Sequence, residues 1–304
     1  MQSADKPHAS DIHKASGYDI RDDVHDIYGR LTRLGLAAHA LELDIKGLTV
    51  IPPETVRAPG ILERARDAFL KTYERRHGDR LDYQHAETLP AALGSPIGKH
   101  MAWMLLEDPV FSEILLNETL LAMVHYRLGV NATLSVMQGL VKAKGGLPLG
   151  LHTDEVLVPA PYASASGHLN VTYLLTDYSV ENGALSYVPG SHKYKRLPVG
   201  DEGVDQAEAV VGAAGSFVVW DGATWHGALP RTATGLRLNL IYDFIRPHLR
   251  PMEVFFDRVD PADYEKYPPI YRTLLGQSLK YWWREEGPDF ADVAWTRIGN
   301  SAFR

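Results

Sequence analysis

His152, Asp154 and His226 are the side chains of this sequence best suited to hold a metal ion. They lie in the stretches Gly150-Leu-His-Thr-Asp-Glu155 and Thr224-Trp-His-Gly227. Two imidazoles and one carboxylate, the first two spaced His-x-Asp, are the ligand set of a mononuclear non-haem Fe(II) centre. Such a triad covers one face of the metal and leaves the other open to a co-substrate and O2. By ligand type alone the same set also suits Mn(II) or Zn(II). His-x-Asp is a weak signal in a chain with 13 histidines, so a further feature is needed. Arg237, eleven residues after His226, provides one. It begins an apolar run, where a charge is costly without a partner, and its planar fork matches a carboxylate. That carboxylate belongs either to the protein or to a ligand. Arg231 and Arg246 are nearby but lie outside the apolar run.

The elements around these residues change character along the chain. Apolar spacing predicts a helix within Val24–Leu43, carrying Ile27, Leu31, Leu34 and Leu41. A short strand over Gly47–Ile51 is stopped by Pro52-Pro53. A helix from Pro59 to about Gly78 and a helical region from Asp108 to Leu128 follow. From about Asn131 short apolar runs alternate with turns. Strands are expected over Thr133–Val141, Leu149–Glu155, Leu169–Leu175, Ala184–Val188, Gly215–Trp220 and Leu236–Phe244. Side chains alternate faces along a strand, so His152 and Asp154 would point the same way and Thr153 away. Arg237, Asn239 and Ile241 would share a face. The expected fold is mainly β with flanking helices: a double-stranded β-helix (jelly roll, cupin-like) core, with the N-terminal helices outside. Residues 1–22 read as a flexible lead-in and 23–304 as a single domain. Its jelly-roll core spans about 131–246, with a helical and loop extension over 247–304.

Bulk properties narrow the function classes. Of the 304 residues, 45% are hydrophobic and 23% charged, ordinary for a globular chain with a substantial core. No apolar run has the length of a membrane span, and the polar N-terminus lacks the centre of a secretory signal; a cytoplasmic location is the expectation. With no cysteine, disulfides, thiolate catalysis and iron–sulfur clusters are excluded. The net charge of −7 argues against nucleic acid as a partner. Lys193-Tyr-Lys-Arg196 is read as a solvated loop rather than a grip on an anionic substrate.

The order of these pieces resembles the phytanoyl-CoA dioxygenase family of Fe(II)/2-oxoglutarate-dependent oxygenases, from about Gly47 to Phe244. The matching pieces are helices, His152-x-Asp154, the segment Asn182-Gly-Ala-Leu through Pro189-Gly-Ser-His192, His226 and Arg237. The resemblance implies Fe(II) on His152, Asp154 and His226. It also implies 2-oxoglutarate as co-substrate with Arg237 on its distal carboxylate, and O2 as oxidant. It implies hydroxylation of a C–H in a small-molecule substrate, with release of succinate and CO2; desaturation, epimerisation and ring formation use the same iron site and stay open beside it. A carboxylate at 154 points away from halogenation. Two positions depart from the family pattern. Ala228 stands where many members have Ser or Thr two residues after the distal histidine. Gly150 stands where some have Gln. Gln138, Lys142, Asn170 and Thr172 are the candidates to supply the missing polar contacts to the co-substrate. His125, His168, His192 and His248 are read as structural. Val156–Gly167 is read as a lid loop, and Trp225, Trp282 and Trp283 as core more than pocket wall. The alternatives are a jelly-roll Zn or Mn hydrolase or isomerase that uses no 2-oxoglutarate, and a non-catalytic binding protein of this fold. The first leaves Arg237 without a task, and the second would be expected to lack a ligand.

Overall fold

Caps and glycines set the helix boundaries. In the computed structural model of this chain, the described residues are 20–87, 98–145, 147–155, 158–277, 283–285 and 287–288. The helical spacing up to Leu43 is interrupted at Gly35, giving α1 (Ile20–Leu34) and α2 (Ala37–Lys46) in place of one helix. Gly47 ends α2 with φ 83° and donates to the carbonyl of Leu43. A Cβ there would lie 2.4 Å from Thr224 Oγ1, so both the turn and the contact require glycine. After α3 (Pro53–Val56) comes α4 (Ile61–His77). Asp108 caps α5 (Pro109–Leu115), and Asn117 caps α6 (Glu118–Leu128) by accepting from the N–H groups of Thr119 and Leu120.

The strands form two antiparallel sheets. The larger has the order β1 (Leu48–Ile51), β8 (Phe217–Asp221), β5 (His168–Leu174), β10 (Arg237–Ile245), β3 (Thr133–Lys142) and β2 (Lys99–Met101). The smaller has the order β4 (Leu149–His152), β9 (His226–Ala228), β6 (Leu185–Tyr187) and β7 (Glu208–Ala209). This is the jelly-roll architecture expected from the sequence, with the helices against one face of the large sheet.

Period two gives the large sheet two different faces. Leu169, Val171 and Tyr173 of β5 and Leu238, Leu240, Tyr242 and Phe244 of β10 point outward into the core shared with the helices, at most 1% exposed. Full burial of such side chains contributes roughly 1.5–3 kcal/mol each. On the opposite face Leu174, Val218 and Trp220 join Leu185 and Tyr187 of the small sheet in a second, inner cluster. That inner face also carries polar residues, in rows fixed by the register. Arg237 stands opposite Lys142, Asn239 opposite Leu140, Ile241 opposite Gln138 and Asp243 opposite Val136. On the other side of β10, Ile241 faces Thr172 and Asp243 faces Asn170.

Two sequence readings need adjustment. The strand expected over Leu149–Glu155 ends at His152, and Asp154 lies in the turn beyond it, its N–H donating to Gly222 O at 2.8 Å. The common direction of His152 and Asp154 therefore comes from that turn rather than from strand alternation. The short strands β2, β7 and β9 were not read from the sequence, because two or three residues are too few to show a period. Of the lead-in read over 1–22, residues 1–19 lie outside the described residues and 20–22 belong to α1; Val156, Leu157, Trp282 and the side chain of Trp283 also lie outside them. Among the described residues no helix is long and apolar enough to cross a membrane.

Candidate metal centre

The pairing of β4 with β9 sets His152 opposite His226. Their rings are 4.3 Å apart between centroids, and the turn after β4 brings Asp154 to the same place. One ligand atom from each of His152, Asp154 and His226 lies within 4.8 Å of the others. His226 Nε2 is 3.6 Å from Asp154 Oδ2. Each histidine has its Nδ1 beside a carbonyl, His152 at 3.0 Å from Gly150 O and His226 at 2.9 Å from Thr224 O. Donation from Nδ1–H to those carbonyls fixes the tautomer and leaves both Nε2 lone pairs free for a metal. Burial lowers the pKa of His226, against the opposing pull of Asp154. A depressed pKa favours the neutral, ligating form.

Asp154 is aimed by two side chains of the large sheet. Asn170 Nδ2 donates to Asp154 Oδ2 at 2.7 Å, and Trp220 Nε1 donates to the same oxygen at 3.2 Å. These two donors fix the orientation of the carboxylate, whose Oδ2 is also the oxygen 3.6 Å from His226 Nε2. Asn170→Ala is expected to weaken divalent-metal affinity by roughly 10–100-fold, the usual cost of removing an outer hydrogen bond to a ligand. A competition titration against a chromophoric chelator measures it.

Gly227 follows His226, and a Cβ on it would lie 2.4 Å from Leu149 O and 3.1 Å from Gly150 O. Both atoms are backbone of the strand that carries His152, so neither can swing away. Gly227→Ala is expected to push β4 from β9, at a stability cost of about 1–3 kcal/mol, and to part the two histidines. Thermal melts and the same metal titration report both effects.

Farther along the inner face stands a group of cations. Arg237 is 2% exposed. Its Nη1 donates to Gly183 O, and its guanidinium lies 5.0 Å from the Tyr178 ring. Its Nε is buried without a partner, and among the described residues no carboxylate pairs with it. Lys142, fully buried opposite it, donates to Leu229 O at 2.5 Å. Burial, and then the charge of Arg237, lower the Lys142 pKa to about 8. Asn239, next along from Arg237, has both amide atoms buried and unbonded. Arg231 and Arg246 are committed elsewhere. Arg231 holds Gly235 O, Thr234 O and Asn182, while Arg246 holds the carbonyls of Ser166, Leu128 and Arg127.

The four candidate co-substrate contacts separate. Lys142 lies beside Arg237. Asn170 lies against Asp154, whose carboxylate it orients. Gln138 is half-buried and accepts from His100 Nδ1 at 3.0 Å. Thr172 is buried on the same face, opposite Ile241. Among the remaining histidines, His192 reaches Asp44 O at 3.2 Å and His125 lies 3.1 Å from Arg30 Nη1. His168 lies 3.5 Å from the buried Asp243. Burial disfavours the charge on His168, but Asp243 outweighs it and raises the pKa; burial raises that of Asp243. The basic cluster is structural: Lys193 reaches Ile45 O, Lys195 Ser164, and Arg196 pairs with Glu202 over the Trp225 ring. Trp225 is core, its Nε1 donating to Arg196 O at 2.6 Å. Trp220 and Asn239 are the site residues that sequence reasoning missed. Strand alternation puts Asn239 on the face of Arg237 without giving it a part in the site; the same alternation along β8 could have placed Trp220 inward.

The phytanoyl-CoA dioxygenase (PhyH) family model matches residues 46–238, a stretch that contains all three candidate ligands and Arg237. The chain belongs to this family. It is thereby a member of the Fe/2-oxoglutarate-dependent oxygenases. Dioxygenase af480 of Aspergillus fumigatus is 26% identical over 228 residues, 73% of each chain. Dioxygenase olcK of Penicillium canescens is 30% identical over 154 residues, 48% of this chain and 47% of that one. Solved structures share the fold at lower identity. The non-heme alpha-ketoglutarate-dependent carbocyclase SnoK from nogalamycin biosynthesis superposes with TM-score 0.55 at 20% identity, covering 74% of this chain and 91% of that one. The epimerase SnoN, in complex with Fe3+, alpha-ketoglutarate and nogalamycin RO, gives 0.53 at 21%, covering 76% and 90%. HygX of Streptomyces hygroscopicus, with nickel and 2-oxoglutarate bound, gives 0.54 at 20%, covering 69% and 86%.

Proposed function

We propose that this chain hydroxylates an unactivated C–H of a small organic, lipid-like or natural-product substrate, using Fe(II) bound by His152, Asp154 and His226 and 2-oxoglutarate held at Arg237. The observation that carries this reading is the pairing of two features on one inner surface. A His-Asp-His cluster stands there with its outer hydrogen bonds in place. Beyond it stands a buried guanidinium that no protein carboxylate neutralises among the described residues. The donor set fits Fe(II), and the unpartnered Nε of Arg237 fits an anionic ligand. A hydrolase or isomerase without 2-oxoglutarate would leave that buried cation unexplained.

When bound, the iron and 2-oxoglutarate supply the oxidising chemistry: O2 gives one oxygen atom to the substrate and one to succinate as CO2 leaves. The residues of the chain do the positioning. The carbonyls of Gly150 and Thr224 hold the imidazole tautomers. Asn170 and Trp220 hold Asp154 Oδ2 and so fix the orientation of its carboxylate. Arg237 fixes the far end of the keto acid, and the apolar wall formed by Leu174, Leu185, Val218 and Trp220 keeps the inner surface dry.

The structural neighbours include a carbocyclase and an epimerase, so the test must read the product and not only turnover. Purified protein with Fe(II), ascorbate and 2-oxoglutarate is screened against a metabolite set for substrate-dependent succinate release, with product mass measured. Hydroxylation adds one oxygen atom. Loss of two hydrogens, or an unchanged mass with inverted configuration, would overturn hydroxylation while keeping the oxygenase. Absence of a visible charge-transfer band on anaerobic addition of Fe(II) and 2-oxoglutarate would overturn the oxygenase reading.

A further inference from the structure

Lys142 and Arg237 stand directly opposite each other on neighbouring antiparallel strands. Lys142 is 0% exposed and Arg237 2%. Like charges in that relation destabilise a sheet, and burying either one without a counter-charge costs more again. Arg231 is a third cation close enough to feel Arg237. Yet among the described residues the only acceptors that meet the facing pair are two carbonyls, Leu229 O for Lys142 and Gly183 O for Arg237. An ammonium has three N–H donors and a guanidinium five, so most of their capacity is unused, that of Arg237 Nε included. A protein that keeps two such charges side by side in its interior has built a place for an anion.

The position of Lys142 says where on the anion it acts. Its Nζ sits on Leu229 O, the carbonyl one residue past Ala228, and Ala228 follows His226 by two residues in β9. Ala228 has no donor. By strand alternation a side chain at 228 lies on the same face of β9 as His226, one residue from the carbonyl that holds the ammonium. We infer that Lys142 and Arg237 together clamp the distal carboxylate of 2-oxoglutarate, Lys142 supplying from the neighbouring strand the donor that Ala228 lacks. This rests on the proposed use of 2-oxoglutarate and assigns a second binding residue for it. Arg231 takes no part, because the carbonyls of Asn182, Thr234 and Gly235 hold its guanidinium.

Two effects of one substitution should then run in opposite directions. Lys142→Met keeps an unbranched side chain one atom shorter and removes the charge. Without ligand, the variant loses a buried like-charge contact, so its melting temperature is expected to rise, by about 2–4 °C. With ligand, it loses a charge-assisted hydrogen bond. Anaerobic calorimetry on the Mn(II)-loaded protein is expected to show 2-oxoglutarate binding roughly 10–100-fold more weakly. 2-Oxovalerate, which has the same keto acid end and a methyl in place of the distal carboxylate, is expected to bind wild type and variant alike. Adding Ala228→Ser to Lys142→Met is expected to recover part of the lost affinity. Unchanged 2-oxoglutarate affinity in Lys142→Met, equal losses for both keto acids, or a lower melting temperature without ligand would each overturn the clamp. If wild type itself fails to bind 2-oxoglutarate, the proposed function falls, a result distinct from any of these.

Discussion

Asp154→Ala is expected to abolish substrate-dependent succinate release. The aspartate is the sole carboxylate of the cluster, and the two imidazoles left behind carry no charge to offset a divalent cation. The effect on metal affinity should exceed the roughly 10–100-fold expected of an outer-contact variant such as Asn170→Ala. The donors that now hold Asp154, Asn170 Nδ2 and Trp220 Nε1, would be left without an acceptor. Some loss of stability should therefore accompany the loss of metal. Asp154→Asn separates the two effects, since it keeps the shape and an amide oxygen for those donors while removing the charge. Its fold should survive and its metal binding should not. Wild-type turnover in either variant, measured as succinate produced per protein with saturating Fe(II), would show that the carboxylate is not a ligand.

Arg237→Ala should leave metal binding almost intact and raise the 2-oxoglutarate requirement steeply. Removing one partner of a buried, charge-assisted contact costs about 2–5 kcal/mol, a rise in apparent Kd of roughly 30-fold to several thousandfold. Arg237→Lys retains the charge but loses the planar fork, so its loss should be intermediate. The anaerobic charge-transfer band, titrated with 2-oxoglutarate, reads the affinity without depending on turnover. A band that saturates in Arg237→Ala at wild-type 2-oxoglutarate concentration would remove Arg237 from the binding site. The two experiments are complementary: Asp154 variants fail at the metal, Arg237 variants at the co-substrate.

The legibility of this protein differs from residue to residue. His152, Asp154 and His226 could be named from the sequence because few side chains bind a ferrous ion and only some spacings let them converge. Arg237 could be named because a cation inside an apolar strand demands a partner. The large strands β3, β5, β8 and β10 were readable because five to ten residues suffice to show a period of two. The turn that carries Asp154 was read as strand, since His-x-Asp fits either geometry locally. The tasks of Trp220 and Asn170 were not legible, because each acts through Asp154, remote in the chain.

The kinds of atoms available for chemistry, and the order in which the chain presents them, were fixed by residue type alone. Metal ligation and carboxylate recognition are properties of single side chains, so a linear reading reaches them. Register belongs to pairs of strands. Which cation stands opposite Lys142, which amide touches Asp154 Oδ2 and which carbonyl receives the ammonium beside Ala228 depend on how β3, β4, β5, β9 and β10 align. A slip of one residue turns every side chain of a strand to the other face, so those contacts exist only once the folded sheets have set the alignment.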